Sequence, residues 1–232
     1  MAGIQSIIPA GFPLEFTPAK AGAGTNGEVQ ETPMPPVLAL YEDVLSDGAA
    51  LALAAAARMI FLVHGGVTVV GRALHDGEAW HGEGAAALVA GSTGATCWRF
   101  ELDAPPAGAA PGVTSREKLA APLATLPADE LLLRGDSVAF PPGGSAYPHR
   151  HQGPGIRCLI EGGIRIDTAG RSTSYGPGGA WYESGPEPAF AQAAADRPSR
   201  FIRVMILPRA LIGNSSLQFV DAADAAKPRA QQ

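Results

Sequence analysis

The stretch "AYPHRHQGPGIRCLIEGG" (residues 146–163) sets two histidines one residue apart, follows them with Gly153-Pro154-Gly155, and runs into an apolar segment closed by Gly162-Gly163. On an extended strand, residues i and i+2 share a face, so His149 and His151 point one way and Arg150 the other. Two imidazoles converging from one strand make the start of a divalent-metal site. Taken alone, the pair fits two surface histidines in a loop equally well, so its surroundings have to decide.

Those surroundings read as β-structure. The chain has 232 residues, 46% of them hydrophobic and 17% charged, enough to bury a core in one or two domains. Its 29 glycines and 21 prolines fall as punctuation between short Val/Ile/Leu/Phe-rich runs, the texture of an all-β protein with many turns. Strands are expected at "RMIFLVHGG", "VTVVGRAL", "AALVAG", "TCWRFEL", "LLLRGDSVAF", "IRCLIEGG", "IRIDTAG", "AFAQA" and "FIRVMIL". Only "SREKLAAPLATL" (115–126) has a helical pattern, with Pro122 ending or kinking it. Residues 1–36 and 221–232 lack periodicity and are expected to drape over the body or stay disordered.

Several functions are disfavoured. The net charge of -5, with no cluster of Lys or Arg, gives no footprint for nucleic acid. The longest apolar run, around residues 49–63, is alanine-rich and broken by Arg58, which argues against a membrane partner. The first residues lack a basic region leading into an apolar one, so the expected location is cytoplasmic. Cys97 and Cys158 lie in apolar segments and read as small core residues. No nucleophile elbow, Walker loop, C-x-x-C pair or H-E-x-x-H helix occurs, and "GAGTNG" (22–27) has no strand and helix around it.

The two halves repeat one another. "FLVHGGVTVVG" (61–71) matches "CLIEGGIRIDTAG" (158–170), "GEAWHGEG" (77–84) matches "GGAWYESG" (178–185), and "CWRFEL" (97–102) matches "FIRVMIL" (201–207). The offset drifts only from 97 at the glycines to 101 at Trp80 and Trp181 and 104 at Arg99 and Arg203. Three matches in one order predict two copies of one β module.

"PHRHQGPGIRCLIEGGIRI" followed by "YGPGGAWYESGPEPAF" resembles the two motifs of the cupin superfamily, a small jelly-roll barrel. The resemblance covers roughly residues 37–103 and 132–220 and implies an all-β bicupin of two jelly-roll (double-stranded β-helix) barrels. The expected organisation is an N-terminal arm (1–36), a degenerate module without metal ligands (37–103), a linker with a short helix (104–131), a module carrying His-x-His (132–220) and a tail (221–232). The family implies a divalent metal (Fe, Mn, Ni or Zn) and a small-molecule ligand, and a homo-oligomer stays open.

Two of the four ligands the family uses are missing: Gly155 stands at the glutamate position and Ala189 at the second-motif histidine. Glu183, two residues past Trp181 on the neighbouring motif, is the candidate to complete a set with His149 and His151, and Glu187 is a weaker one in a "GPEP" turn. A two-His-one-carboxylate set leaves open positions and suits Fe(II) among other metals. If Gly155 points inward, so does Arg157, whose guanidinium could bind a substrate carboxylate or neutralise Glu183. Tyr147, Gln152 and Trp181 are further candidates to line a substrate.

In the first half, the repeat aligns the histidine pair with alanine-rich "LALAAAA" (51–57); His64, His75 and His81 occur elsewhere in it, and His64 and His81 read as ordinary polar positions. That half is expected to cover the second barrel or an oligomer face. Two functions follow: a metal-dependent enzyme acting on a small polar or carboxylated metabolite (dioxygenase, isomerase, decarboxylase or lyase type), or a non-catalytic small-molecule-binding or regulatory cupin with a decayed site.

Overall fold

The computed structural model describes residues 34–128, 130–227 and 230, together with the backbone of 5–6 and 12–14. Most of the N-terminal arm, including "GAGTNG", lies outside the described residues. Its two described pieces, β1 (Gln5–Ser6) and β2 (Phe12–Leu14), pair antiparallel with the strand Leu131–Phe140.

Seven strands make the first half: β3 (Val37–Leu45), β4 (Ala50–Leu53), β5 (Ala57–Val69), β6 (Arg72–His75), β7 (Ala79–Gly82), β8 (Ala86–Leu102) and β9 (Val113–Pro122). They run in the order β6-β5-β8-β3-β9, with β4 on β8 and β7 on β5. The second half contains β10 (Leu131–Phe140), β11 (Ser145–His151), β12 (Gly155–Glu161), β13 (Ile164–Thr168), β14 (Arg171–Tyr175), β15 (Ala180–Glu183), β16 (Ala189–Ala193), β17 (Ser199–Pro208) and β18 (Leu217–Phe219). Its sheets run β1-β10-β17-β12-β15 and β14-β13-β16-β11-β18. Every pairing is antiparallel, and each half is a jelly roll.

Strand alternation sorts the side chains between inside and outside. On β12, Ile156 and Cys158 face away from their barrel and join Ile202, Val204 and Ile206 of β17; these pack against Met59, Phe61, Trp98 and Phe100 of the first half in one shared core. The intervening residues fill the barrels, with Leu51, Ile60, Leu62 and Leu88 in the first and Val138, Phe140, Leu159 and Trp181 in the second. The two barrels are thus joined back to back by apolar surface.

The first glycine of each matched pair occupies a position no other residue could fill. Gly65 and Gly162 have φ of 97° and 84°, and a Cβ on either would stand 2.2 Å from a backbone oxygen, that of Gly94 or Pro198. Both conditions exclude a side chain.

The helix expected over 115–126 is instead the edge strand β9 with its following turn. Leu119, Leu123 and Leu126 satisfy a helical spacing, but Leu119, Ala121 and Leu123 also satisfy strand alternation, and pairing along β3 from Val37 to Leu45 selects the strand. Pro122 sits at its end, where a missing N–H costs no ladder bond. No helix among the described residues is long and apolar enough to cross a membrane.

Candidate metal centre

The histidine pair lies on β11, between β16 and β18. The β11–β16 register shifts between Ala146 and His149, so Ala146 and His149 both face inward although three residues apart. Beyond this bulge regular alternation keeps His149 and His151 buried and Arg150 exposed. The imidazole rings meet edge to face with centroids 5.0 Å apart. His149 Nδ1 lies 2.7 Å from the Tyr147 carbonyl oxygen, and His151 Nδ1 lies 3.1 Å from Ser216 Oγ. These bonds at Nδ1 leave both Nε2 atoms for a third partner.

That partner is Glu183 on β15. Its Cα is paired across the strands with Gly155, the position left without a carboxylate. Trp181 Nε1 donates to Glu183 Oε1 at 2.9 Å, and Arg157 holds Oε2 at 2.8 Å. Glu183 Oε2 stands 3.8 Å from His151 Nε2, and ligand atoms of His149, His151 and Glu183 all lie within 4.8 Å of one another. Donors around an ion with ~2.1 Å bonds stand roughly 3 Å apart, so this donor set fits a divalent metal after a contraction of about 1–2 Å. Exposed Glu187 does not join the cluster.

The inside of the barrel is strongly charged. Arg157 is 1% exposed and donates to Gly155 O at 2.7 Å as well as pairing with Glu183. Of the two roles expected for an inward Arg157, the structure has the guanidinium neutralising Glu183. Arg203 donates twice to Asp136 Oδ2, at 2.9 and 3.2 Å, and Arg134 Nε donates to the same oxygen at 3.2 Å. Burial pushes the His149 pKa below the usual imidazole value, against the pull of Glu183, and pushes His151 well below it, helped by Arg203 and Arg157. Both rings are therefore neutral, as ligands must be. Burial pushes Arg157 down to about 10, still protonated at neutral pH. Burial also raises the Glu183 carboxyl, but Arg157 above all, with His149 and the Trp181 N–H, brings it below its ordinary value.

The other sequence candidates are placed differently. Tyr147 falls on the outer side of the bulge, its ring 4.7 Å from the Lys227 ammonium, and only its carbonyl reaches the site. Trp181 is a core residue, stacked on Tyr175 and edge-on to Phe201, and reaches the site through the one N–H that holds Glu183. Gln152 lines, with His151, Arg150, Pro154, Pro186 and Leu126, a cavity of about 320 Å³ at the barrel rim. Sequence reasoning assigned no role to Arg134, Asp136, Arg203 or Ser216. The two-residue spacing of Arg134 and Asp136 in "LLLRGDSVAF" was a usable signal for the first two.

The first barrel is filled by ion pairs at the corresponding height. Arg58 Nε pairs with Glu101 at 2.7 Å, Arg99 Nε pairs with Asp43 at 2.6 Å, and Arg99 Nη1 closes the chain onto Glu101. His64 is exposed beside Asp76.

No protein-family model matches the chain, and no characterised protein matches it by sequence. Solved structures do match in fold. A deletion mutant of Bacillus subtilis oxalate decarboxylase aligns with a TM-score of 0.59 at 14% identity, covering 84% of this chain and 74% of that one. A structure of Bacillus subtilis oxalate decarboxylase from a study of its Mn(II) centres aligns with a TM-score of 0.61 at 12% identity, over 84% and 74%. The enzyme at pH 4.6 gives 0.59 at 13% identity, over 84% and 72%. At such identities the likeness is one of fold, a jelly roll.

Proposed function

We propose that the chain is a bicupin, a duplicated β module whose first copy (37–103) has lost metal chemistry and whose second (132–220) is a divalent-metal site acting on a small carboxylated metabolite. The carrying observation is the convergence of His149, His151 and the Glu183 carboxylate, with ligand atoms within 4.8 Å of one another, inside one barrel. The duplication is supported by pairing: Ile60 and Arg157 are each bracketed by a tryptophan, Trp80 or Trp181, and an arginine, Arg99 or Arg203.

A divalent ion held by these three ligands would supply Lewis-acid or redox chemistry at its open positions. The substrate class follows from charge. Arg134, Arg157 and Arg203 face Asp136 and Glu183, and with both histidines neutral one positive charge is left over among the described residues. An anion is the natural complement of that excess. With Glu183 engaged at a metal, Arg157 is free to turn its planar fork to a carboxylate. The similar solved structures are of an oxalate decarboxylase, one of them from a study of its Mn(II) centres, which makes Mn(II) and small carboxylates the first probes to try.

A second reading, a non-catalytic small-molecule-binding or regulatory cupin, is favoured by the Arg157–Glu183 ion pair, since that arginine already occupies the carboxylate a metal would need. Elemental analysis of the purified protein, followed by calorimetric titration of the stripped chain with Mn(II), Fe(II), Ni(II) and Zn(II), separates the two. Stoichiometric binding that disappears in a His149→Ala/His151→Ala variant supports the metal reading, and equal binding by variant and parent removes it.

A further inference from the structure

We infer that Ser216 is a positioning residue that fixes the tautomer of His151 and presents its Nε2 lone pair to the barrel; its bearing on metal affinity rests on the metal reading above. Ser216 is 1% exposed and arrives on the segment that leads into β18, the strand added to the free edge of β11 with Leu217 opposite His151. Its Oγ has three neighbours: His151 Nδ1 at 3.1 Å, Arg134 Nη2 at 3.1 Å and Met205 Sδ at 3.9 Å.

A hydroxyl offers one proton and two lone pairs. Arg134 can only donate, so it takes one lone pair, and its orientation is set by further bonds to Asn214 O at 2.8 Å and Asp136. The Met205 sulfur can only accept. The arrangement that satisfies all three neighbours has His151 Nδ1–H donating into the second lone pair while the hydroxyl proton points to sulfur. The reverse assignment moves the imidazole proton to Nε2. There the nearest carboxylate oxygen, of Glu183, is 3.8 Å away, beyond hydrogen-bond reach, so that tautomer gains no bond from the carboxylate and gives up the one that satisfies all three neighbours of Ser216. His149 needs no such device, because the Tyr147 carbonyl beside its Nδ1 can only accept.

The test uses the metal-stripped full chain labelled with ¹⁵N, with long-range NMR correlations reporting which imidazole nitrogen carries the proton and a His151→Asn variant assigning the ring. The wild type is expected to show His151 as the Nδ1–H form, Ser216→Ala to move toward a mixture, and Ser216→Thr, which keeps the hydroxyl, to restore the wild-type pattern. Mn(II) titration should show a loss in affinity on the order of 10-fold in Ser216→Ala, recovered in Ser216→Thr. A wild-type Nε2–H form, an unchanged tautomer in Ser216→Ala, or loss of the pattern in Ser216→Thr overturns the inference. Should Ser216→Ala not fold, Ser216→Cys, a weaker acceptor, is read in the same way. If the wild type takes up no metal, the metal reading fails, and the tautomer spectra still decide the role of Ser216.

Discussion

Glu183 enters the second barrel from the residue directly across the strand pair from Gly155, and Gly155 can carry no side chain of its own. A Cβ there would stand 2.4 Å from the backbone oxygen of Val204 and 2.7 Å from Met205 Cγ. Of this pair of positions, only the one on the adjacent strand carries a side chain, the Glu183 carboxylate. Gly155→Ala is expected to cost about 1–3 kcal/mol from overpacking, and Gly155→Glu more. Denaturant titration checks both; an unperturbed Gly155→Glu midpoint would show that β12 and β17 are not packed this closely.

Arg157→Met leaves the buried Glu183 without its cation, and the metal-free protein should lose about 3–5 kcal/mol. A divalent ion replaces the missing charge, so the rise in Tm on adding Mn(II) should be larger in this variant than in the wild type. A smaller rise would mean that Arg157 supports the ion rather than competing with it.

Arg99→Met provides the contrast. It strands Asp43, fully buried in the first barrel, and should destabilise the protein by a similar ~3–5 kcal/mol. Metal affinity measured below the unfolding temperature should not change, because Arg99 touches only residues of its own half.

Cys97 and Cys158 are both fully buried, and burial pushes each thiol up to about 12. At pH 8 only roughly one thiol in 10⁴ is then ionised, so an alkylating or disulfide reagent should leave the native protein untouched and label both sites after denaturation. Rapid labelling of the native state would contradict their placement.

The barrels share a core that runs from Leu38 and Phe100 through Ile156 and Val204. Calorimetry should therefore show one cooperative transition for both, and the second barrel expressed by itself should bind a hydrophobic dye. Two resolved transitions would show that the apolar seam couples them weakly.

Much of the site could be read from local pattern. His149 and His151 follow from two-residue alternation, Glu183 from its distance to the repeated Trp181, and the inward Arg157 from its distance to Gly155. The failures have specific causes. Leu119, Leu123 and Leu126 fit two periodicities at once, and only pairing with β3 chooses between them. Tyr147 was a candidate because it flanks the pair, and the outward turn of its ring follows from a bulge that spacing does not reveal. Ser216 was invisible because it meets His151 through a strand pairing that no local window contains.

That last pairing also sets an order in time. His151 and Ser216 are 65 residues apart. At translation rates of ~5–20 residues per second, the histidine strand leaves the ribosome roughly 3–13 seconds before its clamp is made. During that interval the strand has an open edge and His151 has no fixed proton. Any divalent ion taken up at the proposed site would thus be held securely only by the finished chain, and one captured earlier only as loosely as by a barrel without this strap.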